Sequence, residues 1–192
     1  MPTINFPGSN TLIQTLDDAV ACGDLPAITD QLRHGLCRLI RDRGVQLPDC
    51  VYHPLPGHYA RRELYRSAQY GYAVVAMTWG PGQGTPIHDH AGMWCVEGVW
   101  HGELEITQYE LVEQDEPRLC FRPVGSIQAG AGSAGSLIPP HEYHAIRNPS
   151  DSDVCVSLHI YSGPMTTCSI FTPLKESWYR REQRELALDL VA

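Results

Sequence analysis

The residues best suited to chemistry lie between Gly82 and Gly102, in the stretch GQGTPIHDHAGMWCVEGVWHG. His88 and His90 are separated by one residue. On a strand, side chains at i and i+2 leave the same face, so both imidazoles would point one way and Asp89 the other. Two neutral imidazoles on one face are half of a metal site, because His is the commonest metal-ligating side chain. The chain has nine His, so the pair alone does not separate a metal site from coincidence.

The surroundings sharpen the reading. The spacing Gly82-x5-His88-x-His90-x4-Cys95-x6-Gly102 resembles the first cupin motif, and Pro139-x4-His144-x3-Asn148, in PPHEYHAIRN, resembles the second. Cys95 stands where cupins carry Glu, and His141 where they usually have Gly. Two motifs in the right order are far more specific than either alone. The resemblance implies a mainly β fold, a small cupin barrel or jelly roll, with His144 as a third metal ligand.

Three neutral imidazoles would leave the double positive charge of a metal uncancelled. The usual non-haem iron oxygenase site is two His and one carboxylate with open positions. With Cys95 at the Glu position, the site favours an anionic substrate that brings its own charge, and a thiolate fits. Zinc is the rival, since three His and a bound hydroxide is also a catalytic design.

The elements that must position these residues can be read in outline. Residues 1–50 read as helical. Ser9 or Asn10 would cap TLIQTLDDAVAC, and Gly23 would stop it. Leu25, Ile28, Leu32, Leu36, Leu39 and Ile40 recur near helical spacing, with Gly44 as the stop and His34 on the solvent side. These helices are expected to cover one side of a barrel. From residue 70 the texture changes to β-branched and aromatic residues punctuated by Gly and Pro. Strands are expected at 70–79, 93–99, 104–111, 119–123, 136–138, 144–147 and 154–161. GSIQAGAGSAGS (125–136) reads as a surface loop, and the charged tail from Leu174 as packing outside the barrel. Of Arg61, Arg62 and Arg66, two are expected to be solvated. A single cupin domain, 1–192, is the expected organisation, with the barrel at about 59–171.

VCVSLHIY (154–161) alternates: Ser157, His159 and Tyr161 on one face, Val154, Val156, Leu158 and Ile160 on the other. In a barrel whose lumen holds a metal, the polar face can point inward, with Ser157 orienting His159 and His159 meeting the Tyr161 hydroxyl. Here the sequence resembles cysteine dioxygenase, a three-histidine iron branch of the cupins, over roughly residues 59–171. The resemblance rests on YARRELYR, WGPGQGTPIHDH, Cys95, His144 and SLHIYSGPMTTCSIF. It implies Fe(II) on His88, His90 and His144, with L-cysteine and O2 as substrates and cysteine sulfinate as product. Arg61 would hold the substrate carboxylate, with Arg62 as its substitute if the register differs; Tyr59 and Cys168 would line the pocket. Tyr161, held by His159 and Ser157, would act beside the reacting atoms, and some relatives carry a thioether between the residues matching Cys95 and Tyr161. Relatives acting on 3-mercaptopropionate take an Arg from just beyond the Ser-x-His-x-Tyr segment; SGPMTTCSIFTP has none, which favours cysteine.

Composition bounds the alternatives. The formal net charge of −8 repels phosphate backbones, so no nucleic-acid partner is expected. No run approaches the roughly 20 apolar residues of a membrane span, and the first residues lack a signal-peptide pattern, so a cytoplasmic protein is expected. Seven Cys without a CxxC argue against a disulfide framework or zinc ribbon. Oligomeric state is not set by the sequence; a monomer is compatible with it. Two readings from other classes stay open: a non-catalytic metal-binding cupin sensor, and a zinc or nickel cupin with isomerase or hydrolase activity.

Overall fold

The computed structural model describes residues 4–191. Helices α1 (Ser9–Val20) and α2 (Leu25–Asp42) come first. Eleven strands follow: β1 (Ala60–Arg66), β2 (Ala73–Trp79), β3 (Ile87–His88), β4 (Cys95–His101), β5 (Glu103–Asp115), β6 (Arg118–Gly130), β7 (Ala134–Leu137), β8 (His144–Arg147), β9 (Cys155–Tyr161), β10 (Thr167–Pro173) and β11 (Trp178–Glu185). Five form one sheet in the order β1-β2-β9-β4-β7, and the other six close into a barrel, β10-β11-β6-β5-β8-β3. This is the mainly β cupin architecture, with the two helices outside.

The apolar stripe of α1 buries Leu12, Leu16 and Ala19, and that of α2 buries Leu32, Leu36 and Leu39. They meet Val74, Ala76, Val96, Val156, Leu158 and Ile160 on the outward face of the five-stranded sheet. The helix ends differ from expectation. Gly8, at φ 81°, precedes α1 in place of a Ser9 or Asn10 side-chain cap. A Cβ there would collide with the main chain of Gly44, so close approach selects glycine. Asp24 caps α2, accepting from the Ala27 N–H at 2.9 Å. Arg43, not Gly44, takes the left-handed position at its end.

Period-two alternation sets the inward face. Cys95, Val99, Tyr161, Val75, Met77 and Trp79 belong to a second core inside the barrel. A third, smaller cluster (Ile87, Leu119, Phe121, Tyr143, Phe171) lies under Tyr109 and Tyr179.

Three expectations are corrected here. Residues 125–136 are not one loop: only 131–133 turn, between two strands. β6 runs to Gly130 against β5, with Ile127 opposite Ile106, and β7 begins at Ala134. Ladder pairing to a neighbour makes these residues a strand in spite of their Gly content. Arg62 is not solvated: at 4% exposure it donates to the Thr78 hydroxyl (2.8 Å) and the His53 carbonyl (3.1 Å). The tail does not merely lie outside, because β11 pairs with β10 and β6 and so helps close the barrel.

Candidate metal centre

β3 is only two residues long, and His90 lies just past its end. His88 is directly opposite His144 across β3 and β8. Asp89 fixes the turn: its carboxylate accepts from the main-chain N–H groups of Ser169 (2.8 Å) and Ala91 (3.1 Å). The rings of His88, His90 and His144 lie 4.3 to 5.4 Å apart between centroids. Each offers a nitrogen within 4.8 Å of those of the other two. Carbonyls only accept, so the Nδ1 atoms of His88 (3.2 Å from Pro86 O) and His144 (2.7 Å from Glu142 O) carry the protons. Their Nε2 lone pairs then face the centre, the arrangement that metal-ligating histidines adopt. His144 Nε2 is buried with no protein partner. Burial lowers all three pKa values, and the neighbouring imidazoles add to the effect at His90 and His144. The rings are therefore neutral, the form a metal requires.

β4 and β9 build the next layer. Cys95 is directly opposite Tyr161, Glu97 opposite His159 and Val99 opposite Ser157. Trp79 donates its indole N–H to Ser157 Oγ at 2.8 Å, and Ser157 Oγ lies 2.8 Å from His159 Nε2. Indole can only donate, so Ser157 accepts from Trp79 and has its own proton to give to His159 Nε2. His159 then keeps its proton on Nδ1, which faces Glu97 Oε2 (3.3 Å), Tyr161 Oη (3.5 Å) and Cys95 Sγ (3.9 Å). Burial lowers the His159 pKa to about 3, with Arg61 adding to it. The ring is neutral, and its approach to Glu97 is no ion pair. Burial pushes the Tyr161 and Cys95 groups well up, and the Glu97 charge adds to the rise at Cys95.

A pocket opens beside this layer. Tyr59, Arg61, Met165 and Cys168 line it together with His88, His159 and Tyr161. Tyr59 stacks on Trp79, with centroids 4.5 Å apart. Arg61 is opposite Met77 across β1 and β2, which turns it inward, while Arg62 is turned outward. All ten residues expected at the site on sequence grounds thus fall around one lumen, and Arg62 does not.

Sequence reasoning missed several neighbours. Glu97 is a buried lumen carboxylate, 4.0 Å from His144 Nε2, and its Oε2 has no hydrogen-bond partner. Burial raises its pKa to about 7. Glu97 lies two residues beyond Cys95 on the same strand face, so parity alone is the signal that finds it. Trp79 was within reach of the same parity argument. Arg184 and Leu186 also line the pocket, from the tail; no local signal announces them.

A family model described as cysteine dioxygenase type I matches residues 57–173. Cysteine dioxygenase type 1 from Homo sapiens is 28% identical over 118 residues, covering 57% of this chain and 54% of the human protein. The Danio rerio protein of the same name is 26% identical over 110 residues, with the same coverage of each chain. The chain spans about half the length of the curated relatives it matches. A Klebsiella pneumoniae protein with a double-stranded β-helix domain aligns at 19% identity and a TM-score of 0.46, covering 61% of this chain and 81% of that one. Among the described residues, no helix is long and apolar enough to cross a membrane.

Proposed function

The chain belongs to the cysteine dioxygenase type I family, and from that premise we propose that it is a non-haem Fe(II) thiol dioxygenase. It takes up a small mercaptocarboxylate, with L-cysteine the substrate named by its relatives, and adds both atoms of O2 to the sulfur to give the sulfinate. The observation that carries this reading is the meeting of three neutral imidazoles with a pocket holding a buried guanidinium and a phenol.

The donor set suits the metal. His88, His90 and His144 would hold Fe(II), and the partnerless His144 Nε2 is the kind of buried atom a metal satisfies. Iron, when bound, supplies the one-electron chemistry that lets O2 react with a thiol. The rest falls to side chains. Arg61 grips the carboxylate through its planar fork, and Tyr59 and Cys168 wall the pocket. Ser157 holds His159, and His159 Nδ1–H bonds toward the Tyr161 oxygen, leaving the phenol proton free to point at the reacting atoms.

A thioether between Cys95 Sγ and the Tyr161 ring carbon beside the hydroxyl belongs to this reading. The supporting fact is their direct opposition across β4 and β9. Forming the bond removes one hydrogen from each partner, and O2 accepts the two electrons. The link would fix the Tyr161 rotamer. Peptides mapped after extended turnover are expected to include a Cys95–Tyr161 pair lighter by two hydrogens; only unmodified peptides would refute it.

The deciding experiment is O2 uptake by iron-loaded protein against a panel of small thiols, with sulfinate identified as product. Stoichiometric zinc in the purified protein, together with no thiol-dependent O2 uptake after iron loading, would favour a zinc cupin or a sensor instead.

A further inference from the structure

The pocket beside the imidazoles contains two guanidinium groups and, among the described residues, no carboxylate in its lining. Arg61 is 5% exposed. Its guanidinium donates only to main-chain carbonyls, Nη1 to Ala187 O at 3.1 Å and Nη2 to Met165 O at 3.2 Å. Asp189 is near, yet its carboxylate accepts from the Arg61 main-chain N–H (2.8 Å), not from the side chain. The second guanidinium comes from β11. Arg184 is directly opposite Cys168 across β10 and β11, so both leave the same sheet face, and both line the pocket. Arg184 is exposed, at the rim, and makes no ion pair among the described residues, although Glu182 and Glu185 are close in sequence. Tyr59, Arg61, Cys168 and Arg184 all line this one pocket, which places the two guanidiniums around one space.

A thiol with one carboxylate satisfies one of these cations. A second acidic group would complement the charge that remains. We propose that the preferred substrate of this pocket is a small thiol bearing two carboxylates, one bound by Arg61 and the other by Arg184, with its sulfur toward the three imidazoles. The proposal rests on the thiol dioxygenase reading and narrows it to a dianionic thiol class.

Two measurements test it. In O2 uptake by the iron-loaded protein, mercaptosuccinate is expected to exceed 3-mercaptopropionate and L-cysteine in kcat/KM, chiefly through a lower KM. Arg184→Gln should lower kcat/KM for mercaptosuccinate about tenfold more than for 3-mercaptopropionate, the factor expected from losing one contact of roughly 1.4 kcal/mol. In calorimetry, which needs no turnover, succinate should bind more tightly than propionate, and Arg184→Gln should erase the difference. Preference for L-cysteine with equal effects of Arg184→Gln on all three thiols would overturn the dianion proposal and leave the dioxygenase reading intact. Should no thiol support O2 uptake, the dioxygenase reading falls, and equal binding of succinate and propionate would then dispose of the dianion pocket as well.

Discussion

The two faces of the sheet β1-β2-β9-β4-β7 are both buried, and they are built on opposite rules. The outer face presents Val74, Ala76, Val96, Leu158 and Ile160 to the helices. The inner face, one residue out of phase on the same strands, carries Arg61, Glu97, Ser157, His159 and Tyr161. Arg61 and Arg62 show the contrast in adjacent residues. Each guanidinium donates to two neutral acceptors, Arg62 to Thr78 and His53 and Arg61 to Ala187 and Met165, but only that of Arg61 also lines the pocket. In the lumen lined by this inner face, Glu97 Oε2 of the sheet and His90 Nδ1 and His144 Nε2 from the facing strands and turn are buried without partners among the described residues. Buried polar atoms are ordinarily paired, so a face that leaves them unpaired is shaped for something it binds. The outer face leaves one such atom, Arg62 Nε, and is otherwise made of apolar contacts that serve stability.

The sharpest way to break that contrast is to remove an inner ligand. His144→Ala is expected to abolish most metal binding and all thiol-dependent O2 uptake while the protein still folds; retained stoichiometric metal would show that the inner face is not organised around an ion. Next come the two arginines. Arg61→Gln should reduce kcat/KM by about 2–5 kcal/mol of transition-state stabilisation, whereas Arg62→Met should leave kcat/KM largely unchanged; each loses two buried hydrogen bonds, so both should lower stability, by roughly 1–3 kcal/mol. Equal kinetic losses from both would erase the division between faces. On the outer face, Leu158→Ala should cost about 2–5 kcal/mol in denaturant unfolding and leave metal content per folded molecule unchanged.

Smaller effects come from titration. Burial depresses the His159 pKa to about 3, below its unfolded value near 6.5. The unfolded chain therefore binds the proton first, and stability falls as pH drops below about 6.5, by up to roughly 1.4 kcal/mol per pH unit for this one group. His88, His90 and His144 shift in the same direction. Metal-free protein should thus lose stability on acidification more steeply than a His159→Gln variant. Glu97 has the opposite sign. Its folded pKa of about 7 lies above the unfolded value, so its cost appears as pH rises past about 4.5 and is complete above 7. Glu97→Leu should stabilise the metal-free protein at pH 8 by about 3 kcal/mol, with a gain that shrinks toward pH 5. A loss of stability at pH 8 would mean that the carboxylate is already satisfied.

Alternation made much of this visible in the sequence. The polar parity of Ser157, His159 and Tyr161 is a local property of β9, and so is the apolar stripe of α2. Glu97 is equally legible, because it shares a strand face with Cys95 two residues earlier. The strand at 125–130 was not legible, because its Gly-rich residues are held extended by the ladder to β5 and not by their own preference. Arg184 was less legible still. Its place in the pocket depends on the register between β10 and β11 and on barrel closure, which no window of neighbouring residues encodes.

The wall that β11 contributes has a consequence for kinship. The matched family region ends at residue 173, and Arg184 and Leu186 lie beyond it. The imidazoles and the His159 layer lie within. On the proposed reading, the chemistry and part of the substrate pocket (Tyr59, Arg61, Cys168) lie within the shared region, while another part of the pocket wall lies outside it. That outer part is able to vary while the rest is held constant. Relatives grouped by their shared core are then expected to agree on what is done to a sulfur atom and to disagree on whose sulfur it is.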